Sequence, residues 1–136
     1  MKFDDKYFSD LRFSTDQILR SLKNALRDLE IAQVDKILEV KFNYTYTAFI
    51  KAGITLIMLN GKKIRSVPGH HAIIIETMAT LLKDDAISDV GNAMRSKRNI
   101  DLYSGGTEVS EKECKEYYEF AHHVVQKVKA MVHSTE

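Results

Sequence analysis

The chain reads as all-α, an antiparallel up-down helical bundle of four to five helices. Three observations predict this. Apolar residues recur at three- and four-residue steps over most of the length. Only one proline, Pro68, interrupts 136 residues, so long helices are expected rather than many short strands. Two capping-box pairs, Ser14 with Gln17 and Ser110 with Glu113, each stand just ahead of an apolar stripe.

The first helix is expected over residues 15–33, with Ile18, Leu22, Ala25, Leu29 and Ala32 on one stripe and Arg20, Lys23, Arg27 and Glu30 off it. The second is expected over residues 34–60. Its stretch "VKFNYTYTAF" alternates as a strand does. However, Phe42, Tyr46, Phe49, Gly53 and Ile57 keep helical spacing, and the run is far longer than an ordinary strand. Gly61 closes it. "GKKIRSVPG" reads as a loop. A third helix follows over residues 70–83, with Ile74, Met78, Leu81 and Leu82 inward. After the turn "KDDA", a fourth spans residues 87–102, with Ile87, Val90 and Met94 inward, and ends at "YSGG". The fifth, over residues 110–132, carries the strongest period: Cys114, Tyr117, Ala121, Val124, Val128 and Met131 repeat like a bundle seam.

Composition narrows the functional classes. A hydrophobic fraction of 44% suffices for one core, and no repeat or linker divides the chain, so residues 1–136 read as one domain with its core at about 14–132. A net charge of +1 is unlike the strongly basic footprint of most duplex-DNA binders, though a local basic patch stays open. The longest uncharged stretch, "AGITLIMLNG", is far short of a membrane span. "MKFDDKYFSD" does not resemble a signal peptide. The single cysteine, Cys114, can form no internal disulfide and no zinc cluster. It reads as a small core residue of a cytoplasmic protein, since no neighbouring base would activate it.

Four segments together resemble the HEPN family (higher eukaryotes and prokaryotes nucleotide-binding). "NALRDLEIAQ" resembles its first helix, with the D-L-E-x-A pattern. "AFIKAGITLIMLNGKKI" resembles its second, closing on glycine, and "GHHAIIIETMATLL" its third. "MRSKRNIDLYSGG" resembles its functional segment, Arg-Asn followed by Tyr near the end of the fourth helix. The likeness runs from about Ser14 to Val132. It implies a bundle that forms a homodimer and takes part in RNA cleavage, nucleotide or RNA binding, or a toxin–antitoxin or defence pair. It also implies a nucleotidyltransferase-like partner protein.

The family's ribonucleases place a histidine four to six residues after an arginine, and this chain departs from that pattern. After Arg98 the corresponding positions hold Tyr103, Ser104 and Gly105. After Arg95 they hold Ile100, Asp101 and Leu102. Arg98, Asn99 and Tyr103 carry over; the histidine does not.

Metal-free RNA cleavage needs a proton-transfer group and a cation to stabilise the charge of the transition state. Arg98 suits the second role, because a guanidinium matches phosphate in a fork. Tyr103 is a weak substitute for histidine, with an unperturbed phenol pKa of about 10. A hairpin of the third and fourth helices about Asp85 would bring His70 and His71 level with Ile100 and Asn99, at the same end as Arg98. His122 and His123 lie roughly 18 Å into the last helix. Being adjacent, they point about 100° apart and predict no metal site.

The candidate catalytic set is therefore Arg98, Tyr103, His70 and His71. The candidate phosphate-binding set is Arg95, Lys97, Arg98 and Asn99, with no metal and no cofactor. The simpler alternatives are a solvated helix end for the cations, an exposed helix start for His70 and His71, and packing for Tyr103. Tyr44, Tyr46, Tyr117 and Tyr118 read as packing or interface residues. Three functions fit: a nucleotide- or nucleic-acid-binding module with weak or no catalysis, a metal-independent endoribonuclease, and a structural adaptor.

Overall fold

The computed structural model describes the backbone at residues 3–104 and 109–135, and the side chains at residues 3–99 and 109–135. The protein is an all-α bundle of five helices: α1 (Thr15–Val34), α2 (Leu38–Leu59), α3 (His70–Leu82), α4 (Asp85–Ser104) and α5 (Glu111–Ser134). Strands β1 (Phe8–Asp10) and β2 (Lys62–Ile64) add a small antiparallel ribbon. No helix among the described residues is long and apolar enough to cross a membrane.

Local chemistry sets the helix ends. Both capping boxes form: Ser14 Oγ accepts from the Gln17 N–H at 3.1 Å, and Ser110 Oγ accepts from the Glu113 N–H at 3.0 Å. Each N3 side chain returns a bond to its cap. The expected second helix starts four residues later than its periodicity suggested. Asp35 is extended, and its carboxylate accepts the Ile37 N–H at 2.9 Å, a local turn that competes with the helix. Lys41 Nζ then donates to the Ala32 and Gln33 carbonyls at 2.8 and 3.2 Å, satisfying the end of α1.

The stretch read as a plain loop contains β2, which pairs Phe8 with Ile64 and Asp10 with Lys62. Phe8 is buried in the core, so apolar burial anchors the ribbon. Met131 departs from the expected seam and is 37% exposed; Val125 and Val132 occupy the core alongside Val124 and Val128.

Helix α2 is the central element, packing on all four other helices. It runs antiparallel to α1: Ser21 Oγ meets Thr55 Oγ1 at 2.7 Å, and Lys51 Nζ lies 2.6 Å from Asp28 Oδ2. Asp28 is buried, and this oxygen receives the lysine's charge without an aligned hydrogen bond. Helices α3 and α4 form a hairpin clasped by Glu76, whose Oε1 accepts from Ser88 and Asn92.

Helices consecutive in the chain alternate in direction with one exception. The side chain of His71 meets Tyr46, and Ile74 and Met78 meet Gly53, so α3 runs parallel to α2. The segment at residues 60–69 makes this possible by carrying the chain back from the end of α2 to the level of Tyr46, about 20 Å at helical rise. The ribbon lies on this return path. Gly53 and Gly91 provide the close approaches. A Cβ on Gly53 would sit 2.5 Å from Ile74 Cγ2, and one on Gly91 would sit 2.8 Å from Ile75 Cγ2.

Candidate functional site

The return segment delivers the start of α3 to the end of α4, and a cleft of about 500 Å³ opens between them. His70, His71, Arg95, Arg98 and Asn99 line it, together with residues 66–69 and Ala72. Gly69 caps α3 at φ 80°, a left-handed conformation that suits glycine. No side chain caps this helix, and its first turn carries no acid. The positive end of the α3 dipole is therefore free to meet an anion in the cleft.

The floor is Tyr46 of α2, almost fully buried at 1% exposure. Its hydroxyl lies 3.0 Å from His71 Nδ1, and its ring lies 5.5 Å beneath the Arg98 guanidinium, a cation–π arrangement. The His70 and His71 rings meet edge to face at 4.6 Å. His70 Nδ1 lies 3.0 Å from the Val67 carbonyl oxygen. A carbonyl can only accept, so Nδ1 carries a hydrogen, and the neutral tautomer this bond selects has its lone pair on Nε2.

Electrostatically the cleft is one-sided. Among the described residues no carboxylate forms an ion pair with Arg95 or Arg98. Arg95 Nε donates to Asn92 Oδ1 at 3.3 Å. Burial, then the neighbouring His70, Arg98 and Arg95, push the His71 pKa down to about 4, so this imidazole is neutral near pH 7. Burial pushes Tyr46 up to about 12 against the pull of Arg98 and Arg95, so its phenol keeps its proton. The fixed positive charge is then that of the two guanidiniums.

The structure thus brings together His70, His71, Arg95, Arg98 and Asn99 from the sequence-derived set. It does not bring Lys97 to them. Lys97 Nζ turns toward α5 and binds Glu113 Oε2 at 2.8 Å, with only 16% of its side chain exposed. One helical position from Arg98 is a rotation of about 100°, enough to place the two cations on different faces. Tyr103 lies on α4 but outside the residues whose side chains the structure describes. His122 and His123 are exposed on α5, away from the cleft. Among the described residues no group of three or more His, Cys, Asp or Glu is placed to hold a metal ion.

Tyr46 was not among the candidates. Its spacing with Phe42, Phe49 and Gly53 reads simply as core, and a core tyrosine carries no signal of where its hydroxyl ends. The apparent orphan, a buried phenol needing a partner, was the available hint. Cys114 is buried as expected, and its thiol donates to the Leu38 carbonyl at 3.3 Å. Burial raises its pKa, which works against thiolate chemistry.

Comparison with protein-family models, with curated proteins and with solved structures finds no match to this chain.

Proposed function

We propose that this protein is a HEPN-like binding module that holds a phosphate of RNA or of a nucleotide in the cleft between α3 and α4. The observation that carries the reading is the convergence of Arg95 and Arg98, free of carboxylate partners among the described residues, on the open start of α3 beside two imidazoles. Arg98 contacts the phosphate, steadied from below by the Tyr46 ring. Arg95 supplies the second guanidinium, and exposed Asn99 orients the ligand at the rim. In the setting the resemblance implies, the module is dimeric and one half of a toxin–antitoxin or defence pair, beside a nucleotidyltransferase-like protein, and the single cysteine places it in the cytoplasm under this proposal.

Anisotropy of a fluorescein-labelled single-stranded RNA, titrated with the full chain over a salt series, tests the reading. The expected result is affinity that falls steeply with salt, with a slope of about 0.7 per phosphate contact. Arg98→Ala should weaken binding by roughly tenfold or more, the usual cost of losing a charge-assisted hydrogen bond. Equal affinity for the parent, Arg95→Ala and Arg98→Ala would sink it and leave the structural adaptor.

A second reading, metal-independent endoribonuclease, draws support from His70. Its Nδ1–H is engaged by Val67, and the remaining Nε2 can take a proton beside Arg98. RNA cleavage in EDTA that is lost in both His70→Ala and Arg98→Ala would establish that reading in place of simple binding.

A further inference from the structure

We propose that Tyr46 is a positioning residue of this cleft: its hydroxyl donates to His71 Nδ1 and holds that imidazole in the Nε2–H form, presenting a neutral N–H donor beside Arg98. The step rests on the phosphate-cleft reading for its consequence, but the tautomer itself follows from hydrogen-bond accounting.

Tyr46 is 1% exposed, and among the described residues its hydroxyl has one polar partner, His71 Nδ1 at 3.0 Å. Two assignments exist. If Nδ1 carried the hydrogen, the phenol would accept and its own proton would be buried without an acceptor, which costs about 1–3 kcal/mol. If the phenol donates, both atoms are satisfied and the hydrogen of His71 must sit on Nε2. The charge states agree with the second assignment. The phenol keeps its proton because burial raises it to about 12, and the imidazole stays neutral because burial and the neighbouring cations lower it to about 4.

The two histidines are consequently opposite in kind. His70, whose Nδ1–H is spent on the Val67 carbonyl, leaves Nε2 as an acceptor. His71, whose Nδ1 is spent on Tyr46, leaves Nε2–H as a donor. An anion is recognised by donors, so His71 joins the two guanidiniums without adding charge. His71 is also excluded as a general base, because one nitrogen is already protonated and the other is blocked. Among the described residues lining the cleft, proton acceptance falls to His70. The Tyr46 ring supports Arg98 at the same time, so one buried side chain orders two ligand-facing groups.

Long-range proton–nitrogen NMR of the histidine rings in the nitrogen-15-labelled full chain reads the tautomer directly. His71→Gln removes one pattern and assigns it. At pH 7 the expected pattern has unprotonated Nδ1 and protonated Nε2 for His71, and the reverse for His70. Tyr46→Phe keeps a ring under Arg98 and removes only the hydroxyl. It should convert His71 to a mixture of tautomers and weaken single-stranded RNA binding roughly 3- to 10-fold. A parent spectrum with His71 protonated at Nδ1 overturns the proposal, and so does a His71 pattern unchanged in Tyr46→Phe. The parent spectrum needs no variant to fold. If the tautomers are as stated but the parent binds no RNA, the positioning role stands and the functional reading fails.

Discussion

His71 couples the cleft to the stability of the chain. Its folded-state pKa, about 4, lies below the ordinary 6.5, so the folded protein binds fewer protons at this ring than the unfolded chain does. The corresponding stability is complete above about pH 6.5 and is lost as pH falls from there toward about 4. The ring is only half-buried and solvent screens part of the effect, so the expected readout is a direction rather than a large energy. Thermal melts from pH 7.5 to 4.5 should show a falling Tm in the parent and a flatter profile in His71→Gln. Identical profiles would mean that the imidazole is not held neutral. Glu113 also has a lowered pKa, from its Lys97 and Ser110 hydrogen bonds, so its contribution is in place at neutral pH and is lost only as pH falls through the carboxylate range. Lys97 belongs to the same scale. A cation next in sequence to Arg98 serves a helix–helix contact instead of the cleft, because side-chain direction, and not charge, decides its job.

At the scale of the elements, close approach around two glycines sets where α3 and α4 sit. Gly91 of α4 faces Ile75 of α3 and Phe49 of α2, so three helices meet at one point. Alanine at this position would gain about 1 kcal/mol of helix propensity. Its Cβ would also fall 2.8 Å from Ile75 Cγ2 and 2.9 Å from Phe49 Cζ, closer than packed carbons approach. Both neighbours are fully buried, so the contact can be relieved only by moving packed groups. Gly91→Ala should therefore destabilise by a net of about 1–3 kcal/mol. The test is a denaturant midpoint, and an unchanged or raised midpoint would mean that α4 shifts freely. Because α4 carries Arg95 and Arg98, the same variant should loosen the cleft.

Across the whole molecule, α2 is the hub. It contacts every other helix and contributes Phe42, Tyr46, Phe49, Leu56 and Ile57 to the fully buried core. Native-state hydrogen exchange should therefore find its central amides, from Phe42 to Ile57, among the last to exchange, near the global unfolding free energy. The ribbon pairs only three residues with three and should exchange earlier. The opposite order would show that the return path, and not the α2 core, is the most stable unit. This difference has a functional side. The start of α3 hangs on the return path, while the end of α4 is tied to α5 through Lys97 and Glu113. The two walls of the cleft thus have different anchors outside their own hairpin.

Local patterns in the chain determined the helices themselves. Ser14 with Gln17, Ser110 with Glu113, and the apolar steps of α1 and α5 act over three or four residues, and such short-range chemistry can be read without coordinates. So can the nearness of His70 and His71 to Arg98, because a hairpin has only one register about its turn. The tertiary structure alone decided what depends on distant partners: the parallel run of α3 along α2, the pairing of Phe8 with Ile64, the turning of Lys97 to Glu113, and Tyr46 as the floor of the cleft. Periodicity states which face of a helix is buried. It carries no information on helix direction, or on the atom that meets a buried hydroxyl, because those are settled by where the rest of the chain packs.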